Sequence, residues 1–575
     1  MKTRRHGFRS SPTVAVLVAA VLACSDAFAR DQAIARARAV AAEVVRDGLL
    51  PGLTVGLVDG QELVWVEAFG FADLEKRSAM ARGSVFRVGS ISKLFTALSV
   101  MQLLERGKLD LSRPLGEVLP EFKIQGAFPE PVRLRHILSH VSGLPREAPV
   151  GSYFDGSGAG PHEALASMAS ASMVHPPGTV TKYSNIAVSL LGNAVEKGSG
   201  ETYVAYVTGH LLGPLGMRTA GFERKAVSRD AMVTGYMQEG ESGWTRAPDF
   251  ELATIAAGNL YAGVEDLARL ARLLHAGGEI DGKRIIGEET LREMSRAQFP
   301  EIGGRFGLGF VAGNRGGERS VEHSGAVYGF TTSFVCLPDR KLTAIVLTNG
   351  DVCMGPVRRI TRTLVDAILT EKKGEPLPVE PDPVPAGKAL RLPGGKLVFR
   401  TSPPSPAGQS RLELREREGK LSLGIEGHAV PLERTGEDAY RARGRILDGN
   451  RITIERGEDG LPAAIALDGY RFGRFDPARA PPAPEQWADF EGSYGATYLP
   501  VRIRILEGRL VAECETFEYE PKPRPPEKLG EDPAFLFPRG TMYEDELLVF
   551  RRGGDGKVAS LKLGTIEMSR LPREK

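Results

Sequence analysis

Closely spaced prolines interrupt this chain in two places. Residues 374–383 contain four prolines, and residues 477–484 contain four more. Proline lacks an amide hydrogen and fixes its own φ angle, so the first stretch can belong neither to a helix nor to an internal strand. The second stretch separates two parts of the C-terminal half. With 575 residues, the chain also exceeds the roughly 250–300 residues at which a single hydrophobic core stops growing. We therefore expect several domains, with the first boundary near residue 375.

Before that boundary, helical and strand patterns alternate. Apolar residues recur at spacings of three and four in residues 95–104 and 264–274, which predicts helices, whereas residues 342–347 have the composition of a strand. The first part of the chain is therefore predicted to be mixed α and β.

After the boundary, short alternating strands with Gly- and Asp-rich turns predominate, as at 412–414, 420–423 and 451–455. Three segments occur twice there in the same order. They pair 418–421 with 507–510, 436–438 with 530–532, and 452–460 with 548–556. We interpret them as two homologous β units, each about the size of a small closed antiparallel barrel, with chance similarity as the alternative.

The N-terminus has the pattern of an export signal. Basic residues precede an apolar run, 12–23, that is too short to cross a bilayer as a helix. The small residues at 27 and 29 predict cleavage before Arg30, although Cys24 also fits a lipoprotein acceptor site, and Arg4-Arg5 fits twin-arginine export in part. The sequence predicts an exported protein, periplasmic or secreted, that contacts a membrane only if Cys24 is lipidated.

Charge and cysteine content limit the partners and cofactors. A formal net charge of +2 creates no overall field that would attract nucleic acid, so no nucleic-acid partner is expected. Cys336, Cys353 and Cys514 are too far apart for a disulfide framework, although a Cys336–Cys353 bridge stays open. They also lack metal-ligand spacing, so we expect buried thiols and no metal or other cofactor.

Two histidines four residues apart, His136 and His140, could face one metal ion. A zincin motif requires a glutamate directly after the first histidine, and Ile137 stands there instead. We expect both histidines to be structural.

Ser90 and Lys93 stand where a helical pattern begins, one turn apart on the same face. The unpaired N–H groups and positive potential of a helix N-terminus would stabilise an oxyanion or a deprotonated hydroxyl, while Lys93 could accept a proton. The pair predicts a nucleophile and its proton acceptor. The alternative is an N-cap serine followed by a surface lysine.

Tyr183 and Asn185 lie between the turn at 176–178 and an apolar segment at 186–191, which places them on a loop beside a buried helix. Tyr183 could exchange the Ser90 proton with a leaving group if neighbouring cations lower its pKa, and Asn185 could bind a substrate carbonyl or amide. The alternative is a turn whose tyrosine merely packs.

His323 begins a β-rich run. The small residues Gly325 and Ala326 would let the backbone approach a substrate closely, and the Ala326 N–H could donate to an oxyanion. A single histidine near a strand is more often structural, so His323 is informative only through its order relative to Ser90 and Tyr183.

The order Ser-x-x-Lys, Tyr-x-Asn, His-x-Gly closely resembles the serine β-lactamase and penicillin-binding-protein superfamily, specifically its class C-like branch. Segments 135–145, 214–217, 258–261 and 306–310 resemble that family in the same order, so the resemblance covers roughly residues 33–370. The resemblance assigns three roles to residues of this chain. The catalytic residues would be Ser90, Lys93, Tyr183 and His323. The backbone oxyanion donors would be Ser90 and Ala326, and the substrate contacts Asn185, Ser324 and Gly325.

The resemblance implies an α/β (α+β) β-lactamase/transpeptidase-like catalytic domain followed by two lipocalin-like antiparallel β-barrels. The expected division is a signal peptide at 1–29, the catalytic domain at 30–373, a linker at 374–395, the first barrel at 396–476, a second linker at 477–488 and the second barrel at 489–575. The barrels imply either a ligand cavity or a lid over the catalytic cleft.

The third motif bears on the substrate. β-Lactamases and D,D-carboxypeptidases of this family usually have Lys-Thr-Gly there, whose cation meets a substrate carboxylate, whereas His323 is mostly neutral at pH 7. Relatives with His-x-Gly include esterases and D-aminopeptidases. The resemblance therefore implies a serine hydrolase that forms an acyl-enzyme on Ser90 with an ester, a small amide or a short peptide containing a D-residue.

Two alternatives stay open. One is a β-lactamase or D,D-carboxypeptidase acting on β-lactams or peptidoglycan peptides. The other is a noncatalytic cell-envelope protein whose β units bind a ligand, although no member of the motif set is missing. The sequence makes no prediction of the oligomeric state.

Overall fold

The computed structural model describes residues 12–239, 243–372, 384, 390–401, 410–425, 428–514, 517–524 and 532–572. The Pro-rich stretch 374–383, the basic residues at the N-terminus, and Gly530 and Glu531 of the repeat lie outside these residues. No helix in the described ranges is long and apolar enough to cross a membrane.

The α-helices belong to the first part of the chain. They are α1 (Pro12–Arg46), α2 (Ser92–Glu105), α3 (Leu115–Val118), α4 (Leu134–Leu138), α5 (Pro161–Ser167), α6 (Asn185–Ser199), α7 (Tyr203–Val207), α8 (Gly213–Leu215), α9 (Ile255–Gly258), α10 (Val264–His275), α11 (Glu288–Met294) and α12 (Met354–Lys372).

The strands of the same part are β1 (Gly52–Asp59), β2 (Glu62–Asp73), β3 (Ser78–Ala79), β4 (Phe86–Arg87), β5 (Tyr236–Glu239), β6 (Gly243–Arg246), β7 (Tyr261–Ala262), β8 (Glu279–Ile280), β9 (Lys283–Arg284), β10 (Val311–Arg315), β11 (Glu318–Val327), β12 (Phe330–Leu337) and β13 (Leu342–Thr348). Seven of them form an antiparallel sheet in the order β10-β11-β12-β13-β1-β2-β3. The predicted helices at 95–104 and 264–274 are α2 and α10, and the predicted strand at 342–347 is β13, so these three predictions are confirmed.

Helices cover both faces of this sheet. α1 and α12 pack together on one face, and α10 packs against β1 and β13 on the other, next to the helical layer that contains α2. β13 is buried at every position, as expected for a central strand with both faces covered. α2 is apolar on nearly all sides because other helices and the sheet surround it. The predicted mixed α/β catalytic fold is confirmed.

The predicted cleavage point before Arg30 lies inside α1. Burial along this helix is described from Phe28, which is exposed, and Ala29 next to it is buried. The residues of α1 that belong to the core shared with the sheet include Ala33, Ala37, Ala41 and Val44. The described part of α1 that packs on the sheet is thus the part that the predicted mature chain would keep.

The first β unit is a closed antiparallel barrel of eight strands, in which β14 pairs with β21. The strands are β14 (Lys396–Arg400), β15 (Arg411–Arg417), β16 (Lys420–Ile425), β17 (His428–Arg434), β18 (Ala439–Ala442), β19 (Arg451–Arg456), β20 (Pro462–Leu467) and β21 (Tyr470–Phe475). Closure removes the exposed strand edges that an open sheet of this size would have.

The second β unit has nine described strands around one apolar core. They are β22 (Gly492–Tyr494), β23 (Val501–Leu506), β24 (Arg509–Cys514), β25 (Phe517–Tyr519), β26 (Lys522–Pro523), β27 (Ala534–Leu536), β28 (Leu547–Arg552), β29 (Val558–Leu563) and β30 (Ile566–Ser569). In the described residues they form a four-stranded and a five-stranded sheet, which a bridge between Tyr494 and Arg570 connects.

The two copies of the sequence repeat have the same backbone conformation at two places. Glu418 and Glu507 occupy the same turn position with φ angles of 54° and 49°, a region that non-glycine residues rarely adopt. The pairing of β19 with β20 and that of β28 with β29 each contain a register shift, at Glu455/Arg456 and Arg551/Arg552.

Candidate active site

A sharp turn positions Ser90. A 3-10 turn, Gly89–Ile91, leads into α2, and Gly89 has a φ of +53° that favours glycine. The Ser92 hydroxyl donates to the Gly89 carbonyl at 2.6 Å and accepts from the Leu260 N–H at 2.9 Å. Ser90 therefore stands just before the helix, one turn from Lys93, as the spacing predicts.

Lys93 is almost fully buried. Its Nζ lies 3.0 Å from Ser90 Oγ, 2.9 Å from Asn185 Oδ1 and 2.7 Å from the Ala257 carbonyl oxygen. Burial lowers the pKa of Lys93 well below its ordinary value of 10.5, with Arg146 acting in the same direction and Glu147 opposing. A lysine in this environment releases its proton more readily than one in water.

Tyr183 also hydrogen-bonds to Ser90, and burial raises its pKa to about 12 although that bond and Arg146 act to lower it. The expected lowering by neighbouring cations is therefore outweighed by desolvation. The ring stacks on His140 at 4.2 Å between centroids, and the Lys93 Nζ lies 4.9 Å from its centroid. Tyr183 is a neutral phenol at pH 7.

The part of β11 beyond its pairing with β10 has an edge that faces Ser90. β10 pairs with β11 only as far as Glu322, so the far half of β11 has an open edge. The Tyr153 hydroxyl donates to the Ala326 carbonyl at 3.0 Å from this side. Because the N–H and C=O of one strand residue point to the same side, the Ala326 N–H also faces the open edge.

Two glycines bring this edge close to Ser90. A Cβ added at Gly89 would lie 2.9 Å from the Ala326 nitrogen, and one added at Gly325 would lie 2.0 Å from the Val88 carbonyl oxygen. Gly325 is therefore needed for contact with the segment before Ser90, whereas the sequence suggested that it makes room for a substrate.

His323 is buried and neutral. Its Nδ1 lies 2.7 Å from the Ser324 carbonyl oxygen, which fixes Nδ1 as the protonated nitrogen. Burial lowers its pKa to about 4, with Lys93 acting in the same direction. Its Nε2 has no hydrogen-bond partner among the described residues. The third motif thus presents an acceptor rather than a cation.

Asn185 begins α6, which Ser184 caps by accepting from the Ala187 N–H at 3.0 Å. Its Oδ1 accepts from Lys93, and its Nδ2 donates to Glu147 Oε1 at 2.6 Å. Besides lining the cavity, Asn185 therefore holds Lys93 in place, a function that the sequence did not indicate.

These side chains surround one cavity of about 360 Å³. It brings together all the predicted site residues except Lys93, which lies directly behind Ser90. The second β unit contributes Leu499, Met542 and Tyr543 to the wall. One site is thus formed by the first two motifs, the edge of β11 and a β unit from the C-terminal part of the chain.

A profile of the Beta-lactamase family matches residues 37–367, which is more than half of the chain. The chain belongs to the Beta-lactamase family. Ser90, Tyr183 and His323 all lie within the matched range. The assignment to the class C-like branch stays a prediction.

Two known proteins that match this Beta-lactamase-family chain share less than a third of its residues in the aligned region. Protein flp of Staphylococcus aureus (strain MW2) is 21% identical over 306 residues, which cover 53% of this chain and 61% of that protein. The uncharacterized protein MT1414 of Mycobacterium tuberculosis is 28% identical over 280 residues, which cover 44% of this chain and 69% of that protein. The chain thus spans about three fifths of the length of flp.

The octameric penicillin-binding protein homologue from Pyrococcus abyssi has the same fold. It superposes with a TM-score of 0.54 at 22% identity, and the match covers 84% of this chain and 99% of that one. The shared fold therefore extends beyond the Beta-lactamase-family domain into the C-terminal β units.

Sequence reasoning missed several residues of this Beta-lactamase-family site. Arg146 and Glu147 line the cavity directly after the family-like segment 135–145, which ends at Pro145. His140, expected to be structural, stacks on Tyr183 and accepts from the Ser184 N–H at 3.3 Å. The described residues contain no His, Cys, Asp or Glu group that could hold a metal, and the three cysteines are buried thiols.

Proposed function

We propose that this protein is a serine hydrolase that cleaves esters or small amides through an acyl-enzyme on Ser90. The observation that carries the proposal is the position of Ser90 Oγ, which contacts Lys93 Nζ at 3.0 Å and Tyr183 next to the open edge of β11. A hydroxyl with an adjacent proton acceptor is the arrangement that nucleophilic catalysis requires.

Lys93 is the base in this proposal. As a neutral amine, its two hydrogens go to the Asn185 Oδ1 and the Ala257 carbonyl, and its lone pair faces the Ser90 hydroxyl. When Ser90 Oγ attacks the substrate carbonyl carbon, Lys93 accepts the hydroxyl proton. The carbonyl oxygen becomes an oxyanion, which the N–H groups of Ser90 and Ala326 stabilise.

Tyr183 is the acid that completes acylation. Because its pKa is about 12, it holds its proton at neutral pH and donates it to the departing alcohol or amine. The proton on Lys93 then returns to the tyrosinate. A water molecule afterwards attacks the acyl-enzyme along the same path, which releases the acid and restores Ser90.

The choice of ester or small amide rests on His323. A neutral imidazole with a pKa of about 4 cannot supply the cation that the Lys-Thr-Gly motif of β-lactamases and D,D-carboxypeptidases presents at this position. The cavity volume of about 360 Å³ is at the lower end of small-molecule sites, which suits a compact substrate or the end of a short peptide. Export to the periplasm or medium is proposed from the N-terminal sequence alone.

Steady-state hydrolysis of para-nitrophenyl acetate tests the proposal. Ser90→Ala is expected to reduce kcat by about 10⁴-fold or more, since it removes the nucleophile, while thermal unfolding stays close to that of the wild type. Lys93→Met is expected to reduce kcat by about 10²–10⁴-fold. A Ser90→Ala protein that keeps most of its turnover would exclude the mechanism, whereas a wild type without turnover would favour the noncatalytic alternative.

A further inference from the structure

One cationic side chain in the cavity has no part in the mechanism above. Arg146 lines the cavity, and among the described lining residues it is the sole arginine or lysine. Its backbone is held firmly: the N–H donates to Glu546 Oε1 at 2.9 Å, and the carbonyl accepts from the Asn185 N–H at 2.8 Å. The side chain therefore starts from a fixed point next to the catalytic groups.

Two aromatic rings hold the Arg146 guanidinium through their π faces. Its central carbon lies 5.3 Å from the ring centroid of Tyr183 and 5.8 Å from that of Tyr543. Within the described residues, the Arg146 side chain makes these ring contacts and one ion pair but no hydrogen bond, and its buried Nε is unsatisfied. Ring contacts use the face of a guanidinium and leave its planar set of N–H donors available.

The nearby carboxylate does not satisfy these donors. Glu147 Oε1 lies 3.4 Å from Arg146 Nε, and the same oxygen accepts the 2.6 Å bond from Asn185 Nδ2. Leaving a buried charged donor without a hydrogen bond costs free energy. A ligand that accepts from the guanidinium would offset that cost.

Arg146 also differs from the other basic groups of the site in the direction of its pKa shift. His323 and Lys93 both have pKa values lowered by burial. Burial acts on Arg146 in the same direction, but Glu147 and the surrounding phenols outweigh it and raise its pKa. The positive charge that is missing at the third motif is therefore present on the wall that Arg146 and Tyr543 form.

We propose that Arg146 binds a carboxylate of the substrate, so that the preferred esters or amides carry a carboxylate on either the acyl or the leaving group. A planar guanidinium with free N–H donors matches a carboxylate in two-point geometry. This inference rests on the proposed hydrolysis at Ser90 and specifies its substrate class.

Two pairs of esters test it. The acyl-side pair is para-nitrophenyl pentanoate and mono-para-nitrophenyl glutarate, and the leaving-group pair is phenyl acetate and para-acetoxybenzoate; each pair differs mainly by one carboxylate. In at least one pair, the wild type is expected to show about a tenfold or greater preference in kcat/KM for the carboxylated member. Arg146→Met should abolish that preference, and Arg146→Lys should keep part of it because the charge stays.

Because Arg146 also contacts Tyr183, its replacement could slow hydrolysis of every ester. The readout is therefore the ratio of kcat/KM between the two members of each pair, in which such a general loss of rate cancels. A wild type without preference for the carboxylate in both pairs, or a preference that persists in Arg146→Met, would overturn the inference. Absence of turnover for all four esters would instead contradict the proposed function. In that case, the affinity of Ser90→Ala for the carboxylated esters is measured with and without Arg146→Met. The affinity should fall when Arg146→Met is added. An unchanged affinity would overturn the proposed carboxylate binding by Arg146.

Discussion

At the scale of single residues, burial decides which groups in the cavity are charged. The same desolvation lowers the pKa of Lys93 and His323 and raises that of Tyr183. At pH 7 this gives a neutral imidazole, a neutral phenol and a lysine with weakened hold on its proton. Sequence motifs specify these residue types, but only the packed environment sets their protonation.

His323 makes a testable contribution to acid sensitivity. Its pKa falls from 6.5 to about 4 on folding, so between these pH values the unfolded chain binds more protons than the folded one. The contribution of the neutral His323 to the free energy of unfolding is complete above pH 6.5 and is lost as the pH falls toward 4. Between pH 7 and 4, the wild type should lose about 3 kcal/mol more unfolding free energy than His323→Asn.

Urea unfolding at several pH values measures this difference. The other buried histidines are present in both proteins, so the difference reports on His323 together with its effect on His140, whose pKa it lowers. Parallel pH profiles for the two proteins would show that His323 is not held neutral by burial.

At the scale of elements, the site depends on close contact between the turn at Ser90 and the edge of β11. Gly325 allows that contact because its missing side chain leaves room for the Val88 carbonyl. The Thr332 hydroxyl on β12 donates to the same carbonyl at 3.1 Å. The position of the Ala326 N–H thus follows from the packing of β11 and β12 against the segment before Ser90.

Gly325→Ala should separate these elements. Its Cβ would meet the Val88 oxygen at 2.0 Å and the Thr332 hydroxyl at 2.3 Å, and both are held by a hydrogen bond. We expect kcat for ester hydrolysis to fall by about a hundredfold or more through loss of an oxyanion donor, with a stability loss of about 1–3 kcal/mol. Gly83→Ala is the matched control, because nothing lies within 4 Å of a Cβ there. Equal kcat values for the two variants would contradict this account of the oxyanion hole.

Local patterns predicted the elements that carry the candidate catalytic residues, but not their neighbours. Ser90 and Lys93 share a helix turn, and Tyr183 precedes a recognisable apolar helix, but each motif alone has a structural alternative. The order of the three motifs and the family resemblance identify them together. Arg146 and Tyr543 meet only because the second β unit docks on the cavity, and no local pattern contains that contact. Likewise, alternation predicted strands at 412–414, 420–423 and 451–455, which lie in β15, β16 and β19, and the size of the unit predicted a closed barrel. The pairing of β14 with β21 that closes it joins the first and last strands and has no local signal.

At the scale of the whole molecule, the second β unit forms part of the wall of the candidate active site. Lys182, beside Tyr183, forms a buried ion pair with Glu546 at 2.8 Å and donates to the Glu544 carbonyl at 3.0 Å. The Thr565 hydroxyl donates to the Glu147 carbonyl at 2.8 Å. Of the two roles that the sequence left open for the β units, this contact favours a cover over the cleft for the second unit.

The Lys182–Glu546 pair should contribute strongly to this docking. Lys182→Met leaves a buried carboxylate without its cation and is expected to cost about 3–5 kcal/mol of unfolding free energy. The double variant Lys182→Met/Glu546→Gln should be more stable than Lys182→Met alone, because neither charge is left unpaired. Urea unfolding measures both. A double variant that is less stable than Lys182→Met would contradict a role for charge pairing in docking.

The central claim is a covalent intermediate on Ser90, and intact-mass analysis tests it most directly. The wild type and Ser90→Ala are exposed in separate samples to a fluorophosphonate, a para-nitrophenyl ester and a penicillin. We expect one adduct per chain with the fluorophosphonate, located on Ser90 by peptide mapping and absent from Ser90→Ala, and more acylation by the ester than by penicillin. An unmodified wild type, or an adduct that persists in Ser90→Ala, would contradict the central claim.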